Sequence, residues 1–310
     1  MNPAFSVILL TTLIGAGQGL LLALVAADLA AALAPESALR VVGGTVSVAL
    51  TVAGLVASTF HLGRPERGWR AASQWRTSWL SREVIALPLF MGAAAAWTLA
   101  QWLGWSRGSV LLLGLLAAAA CVLLFVCTAM IYASLRFLQE WASPLTLVNY
   151  TVLGVASGCT LAAALAALIA PALASPFGVA AMVFTATGLV TRVLSLVRNA
   201  RIQPKSTLRT AIGIRHPVIR QRAMGFMGGS FNTREFFHGQ SAGTLRWVRD
   251  AFLVGAFLLP LGLLALGLGQ GGAGWPVLAF VVQFAGLLAE RWYFFAQANH
   301  PQNLYYQTVS

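Results

Sequence analysis

The chain is predicted to be an all-α integral membrane protein, a bundle of eight transmembrane helices with both termini on the same side of the bilayer. Three observations predict this. Of 310 residues 58% are hydrophobic, only 9% are charged, and the apolar residues come in long unbroken runs. A soluble domain needs about a quarter of its residues charged to face water. A transmembrane β-barrel would alternate along short strands. A disordered chain and a disulfide scaffold are excluded by the same numbers.

About 20 apolar residues cross a hydrocarbon core ~30 Å thick. Eight runs qualify: 5–33, 41–62, 83–103, 109–133, 146–170, 177–197, 250–269 and 275–298. Pro, Gly or Ser in the connectors 34–40, 104–108 and 171–176 stop the helices. The first run is too long for a removable leader and has no basic start, so it is read as a span. The whole of 1–310 is one membrane domain.

The net charge is +12, and 19 of the 20 basic residues are Arg. In a soluble protein that surplus would suggest nucleic acid; here it reports topology and anionic lipid headgroups, and no nucleic-acid partner is expected. An even number of spans puts the loops 63–82, 134–145 and 198–249 on one face, and they hold most of the arginines. The positive-inside rule makes that face, with both termini, cytoplasmic, in a bacterial inner membrane. Loop 198–249 mixes bases with Met and Phe. A solvated tail has no use for those, so it is read as a docking segment with Arg215, Arg220, Arg222, Phe226, Phe231 and Arg234 as its contacts.

Ionisable residues at or in the membrane need a reason. His61, Glu83, Arg192, Glu290 and Arg291, with Asn149 and Tyr150, fall near the basic ends of their spans. They form one shallow layer and not a path across the bilayer; Asp28, near the opposite face, is the exception. A transporter would want polar groups at the midplane and usually a broken helix. Only Gln18, within Ile14–Gly19, hints at one, and close helix packing explains those glycines more simply. On the last span Gln283, Gly286, Glu290 and Gln297 share a stripe that should face the bundle interior.

The most informative stretch is His61-Leu62-Gly63-Arg64-Pro65, followed by Ser78-x-x-Ser81-x-Glu83-Val84. Gly63 and Pro65 should stop the second span at His61, and Glu83 should open the third, with Ser81 preceding it. An imidazole and a partly desolvated carboxyl held there can take up protons near neutral pH. No Cys set suits a cluster or another metal site, since Cys121, Cys127 and Cys159 lie scattered in apolar runs. No histidine pair is placed to ligate haem, so neither haem nor an iron–sulfur cluster is expected in this chain.

These residues resemble the membrane anchor subunit of the dimethyl sulfoxide reductase family. The opening Pro3-Ala4-Phe5-Ser6-Val7, the eight spans and the Glu290-Arg291-Trp292-Tyr293-Phe294 ending agree with the resemblance. It implies an anchor that binds menaquinol or ubiquinol as a diffusible substrate, oxidises it, and passes electrons to a ferredoxin-like iron–sulfur subunit and on to a molybdopterin catalytic subunit. It implies quinol oxidation at His61 and Glu83. Arg64 or Arg82 would balance negative charge on the ring, and Glu290 would line the site, between spans two, three and eight. The alternatives are a small-molecule or ion transporter, and an anchor that runs the reaction backwards and reduces quinone. The long basic loop departs from the enteric anchor.

Overall fold

The computed structural model describes residues 1–30, 38–60, 62–223 and 235–306. Eight helices are long and apolar enough to span a membrane: α1 (Phe5–Leu29), α2 (Ala38–Thr59), α3 (Trp79–Trp102), α4 (Arg107–Ala133), α5 (Pro144–Ile169), α6 (Ala174–Ala200), α7 (Ala242–Gln270) and α8 (Gly274–Ala296). No strand occurs among the described residues.

Several boundaries differ from expectation, the first span ending at Leu29 among them, and those around the motif and the basic loop do so for local reasons. Helix α2 ends at Thr59, short of His61, and the chain turns there through Phe60 N–H on the Ala57 carbonyl. Helix α3 starts at Trp79, because the Ser78 hydroxyl accepts the Ser81 N–H and serves as its N-cap. Glu83 therefore sits in the second turn and does not open the helix. The basic loop is shorter than 198–249. Helix α6 runs on to Ala200, α7 begins at Ala242 behind a Ser241 cap, and a short helix Leu208–Ile212 lies between them.

The most buried helices are α1 and α5, which cross at glycine. Gly15 and Gly19 on α1 meet Gly154 and Gly158 on α5; a Cβ on Gly158 would stand 2.0 Å from the Gly19 carbonyl carbon. Four-residue spacing puts each pair on one helix face, so the backbones touch. Gln18 is used in the same region: its Nε2 donates to the Cys121 carbonyl at 3.0 Å, tying α1 to α4. Helix α1 is continuous through this segment, so Gln18 marks no break. Asp28 is also accounted for, in a buried ion pair with Arg40 across α1 and α2.

Helix α7 carries a π-turn at Val254–Leu258, just before Pro260. Proline has no N–H to return to the Ala256 carbonyl and crowds it, so the ladder widens there. Gln283 of α8 occupies the gap. Its Nε2 reaches Thr185 Oγ1 at 2.9 Å and the Ala256 carbonyl at 3.4 Å, while Gly286 packs on the Gly255–Ala256 backbone. Gln283→Leu strands these acceptors and is expected to cost about 1–3 kcal/mol, read as a lower unfolding temperature of the chain in detergent.

Candidate functional site

Glu83 lies four residues inside α3. Thr11 is six residues inside α1, Thr128 five from the end of α4, Tyr150 six inside α5 and Arg291 five from the end of α8. At 1.5 Å per residue these depths are all about 6–9 Å. The five residues line one cavity, completed by Gln18 and Ser157 and by apolar walls that include Leu10, Ile14, Phe125, Leu153 and Leu287. Of the shallow layer read from the sequence, Glu83, Tyr150 and Arg291 share this cavity, whereas Asn149, Arg192 and Glu290 line a second one.

The Thr128 hydroxyl donates to Glu83 Oε1 at 2.5 Å, which fixes the carboxyl's orientation. Opposite, the Arg291 guanidinium lies 3.8 Å over the Tyr150 ring. An aromatic cluster holds that pair. Tyr132, Trp141, Phe294 and Phe295 pack round Tyr150, and Trp141 Nε1 donates to the Phe294 carbonyl at 2.9 Å. The Tyr150 hydroxyl is buried and makes no hydrogen bond of standard geometry among the described residues, with the Arg291 guanidinium and the Tyr132 hydroxyl as polar neighbours. The cavity measures about 20 Å³, room for a water molecule and not for a ring.

The expected site residues distribute as follows. Glu83 is in the cavity; His61 lies outside the described residues. Arg82 turns away: its guanidinium donates to the Trp75 and Arg76 carbonyls and stacks 4.2 Å from the Trp79 ring, bracing a 3-10 helix over Pro65–Gln74. Arg64 is exposed at the start of that helix. Glu290 does not line this cavity. It pairs with Arg192 at 2.6 Å and with Arg291 at 3.3 Å, facing a second, smaller cavity. Helices α1, α4 and α5 supply walls expected from α2. Arg215, Arg220 and Arg222 are exposed, whereas Phe226, Phe231 and Arg234 lie outside the described residues.

Reasoning from sequence passed over Thr128 and gave Tyr150 and Arg291 no role. Thr128 carries no signal in an apolar run, but the pairing of Arg291 with Tyr150 was foreshadowed by their common depth. The histidines of the described segments serve local turns. His238 and His300 each accept a backbone N–H, from Gln240 and Gln302, and burial holds both imidazoles below their usual range.

Thr128→Val keeps the side chain's shape and removes the hydrogen bond to Glu83. An interaction of that kind is worth about 1.5–3 kcal/mol, so turnover that depends on an oriented Glu83 is expected to drop about tenfold or more. Assay of the intact complex checks this; unchanged turnover would show that the contact is idle.

The family model for the DMSO reductase anchor subunit (DmsC) matches residues 1–212. The chain belongs to that family. A relative of the anchor from Allochromatium vinosum, named as a subunit of a sulfite dehydrogenase, is 53% identical over 325 positions, covering the whole of both chains. The anchor is a multi-pass membrane protein and one subunit of an oxidoreductase complex. The family match ends at residue 212, inside the basic loop, whereas the similarity to the Allochromatium protein continues through it to the last span.

Proposed function

We propose that this anchor carries the quinone half-reaction of a molybdoenzyme complex at the Glu83 cavity, exchanging electrons with a ferredoxin-like iron–sulfur subunit. The observation that carries the reading is a single carboxyl, oriented by Thr128, in an interhelical cavity where apolar walls meet a few polar groups, Tyr150 and Arg291 among them, in a DMSO reductase family anchor. Menaquinone or ubiquinone supplies the two-electron chemistry as a diffusible substrate. The chain's own part is to hold a ring oxygen and to move its proton at the Glu83 carboxyl. A headgroup fits only when the walls of this cavity open beyond its present ~20 Å³. His61 is proposed as the second ring partner, with Arg64 as a basic neighbour and Glu290 as support for Arg291.

Two directions are open to the same site. The resemblance to dimethyl sulfoxide reductase anchors implies quinol oxidation, with electrons leaving to a molybdopterin subunit that reduces its substrate. The relative named as part of a sulfite dehydrogenase favours the reverse, in which the partner oxidises a substrate and the anchor reduces quinone. The purified complex distinguishes them. Sulfite-dependent reduction of a short-chain quinone supports the second, and quinol-dependent reduction of a partner substrate the first. A complex that exchanges electrons with a dye but with no quinone or quinol overturns both.

For the basic loop, the exposed Arg215, Arg220 and Arg222 support a docking role on the face that we propose is cytoplasmic. Deleting residues 215–237 is expected to release the iron–sulfur subunit while the spans still fold. Recovery of the whole complex from mild detergent after that deletion would remove the role.

A further inference from the structure

Behind the Glu83 cavity lies a second one of about 10 Å³, and Tyr150 and Arg291 belong to the walls of both. This inner chamber is polar. Asn149, Arg192, Ser195 and Glu290 line it, and its outer rim is formed by half-buried Glu140, Asn199 and Gln297. Three buried polar atoms on its walls make no hydrogen bond of standard geometry among the described residues: Tyr150 Oη, Arg192 Nη2 and Gln297 Nε2. A polar space of this size, ringed by unsatisfied donors and acceptors, is where water binds. Glu140 Oε1 accepts from the exposed Asn299 amide at 3.3 Å, so the rim reaches the surface.

We propose that Tyr150 and this chamber form the proton route between Glu83 and the surface at Glu140. The proposal rests on Glu83 handling the ring's proton. When the Glu83 carboxyl gives its proton to a ring oxygen, the Tyr150 hydroxyl proton moves to the carboxylate, directly or through one water. A chamber water then returns a proton to the phenolic oxygen, and the rim carboxyl of Glu140, protonated from the surface, gives its proton to that water and is left as the carboxylate until the next proton arrives. One proton enters per transfer and no electron moves in the relay. Both electrons come from the partner's iron–sulfur subunit. For quinol oxidation each transfer runs in reverse. Arg192 and Arg291, paired with Glu290, stay charged and orient the water without carrying the proton.

Tyr150→Phe tests this, because it removes one oxygen and keeps the stacking under Arg291 and beside Tyr132 and Phe294. In the intact complex, kcat for quinone-linked turnover is expected to fall about tenfold or more with a raised solvent deuterium isotope effect. The KM for quinone should hardly change. Dye-linked turnover by the partner subunits, which bypasses this chain, controls for assembly. Gln297→Leu, which dries the rim, should slow kcat in the same manner with Tyr150 intact. Wild-type kcat and isotope effect in Tyr150→Phe overturn the route, as does a slower rate with an unchanged isotope effect. Glu83→Gln separates the two claims. Wild-type turnover there removes the Glu83 reading, whereas an inactive Glu83→Gln beside a wild-type Tyr150→Phe removes the route alone.

Discussion

Glu83→Gln is expected to lower quinone-linked turnover by about 10²-fold or more while the complex still assembles. The replacement is nearly isosteric. Its amide oxygen can still accept the Thr128 hydroxyl, now made at 2.5 Å to the carboxyl, so the walls of the cavity stay in place. What is lost is a group that can give and take a proton. Glu83→Asp, which draws the carboxyl back by one methylene, should retain the chemistry at a reduced rate, since misplacement by about 1 Å costs up to roughly 10²-fold. The measurement is turnover with a short-chain quinone or quinol, set against dye-linked turnover in the same preparation. A Glu83→Gln complex that works at the wild-type rate would place the proton transfer elsewhere.

Gly158→Leu should prevent the bundle from forming. A Cβ at 158 would lie 2.0 Å from the Gly19 carbonyl carbon and 2.1 Å from the Leu20 nitrogen, both backbone atoms that cannot rotate away. Helices α1 and α5 would have to separate, which takes the cost to the top of the roughly 1–3 kcal/mol range for overpacking or above it. In lipid no hydrophobic force draws helices together, so close van der Waals contact is what holds this crossing. The expected result is little or no monodisperse protein in mild detergent. Gly92→Leu is the control: nothing lies within 4 Å of a Cβ there, and an effect within about 0.5 kcal/mol is expected. Equal yields of the two variants would mean the crossing is not as close as described. The crossing also sets the site, since Gly15 and Gly154 line the Glu83 cavity and Tyr150 lies one turn from Gly154.

Much of this was legible before any coordinates. The eight spans follow from the length of apolar runs that do not alternate, because hydrocarbon admits only helices and closed barrels and a barrel strand would alternate. The shallow polar layer follows from counting residues inward from each helix end. Glu83 was legible because a carboxyl is costly in an apolar run, and the motif around it pointed to its family. Arg291 and Glu290 were not separable in the same way. Adjacent residues on a helix differ by about 100° in direction, so the packing of α5 and α6 against α8 decides which faces the Glu83 cavity. It gives Glu290 to Arg192 and lays Arg291 on Tyr150. Gln283, by contrast, was read from its stripe as facing the bundle interior, and there its amide bonds Thr185 and the Ala256 carbonyl.

Composition and spacing were enough to establish a lipid-embedded helical bundle and to single out Glu83 near one end of its span, because burial in hydrocarbon makes every charge costly and sets the length of every helix. The neighbours of that carboxyl came from the assembly. Helices α1, α4 and α5, far apart in sequence, converge on Glu83 because glycine contacts set which helices touch and at what rotation. Contact between distant segments depends on the fit of two surfaces, and a linear order of residues records each surface without recording which other surface it meets.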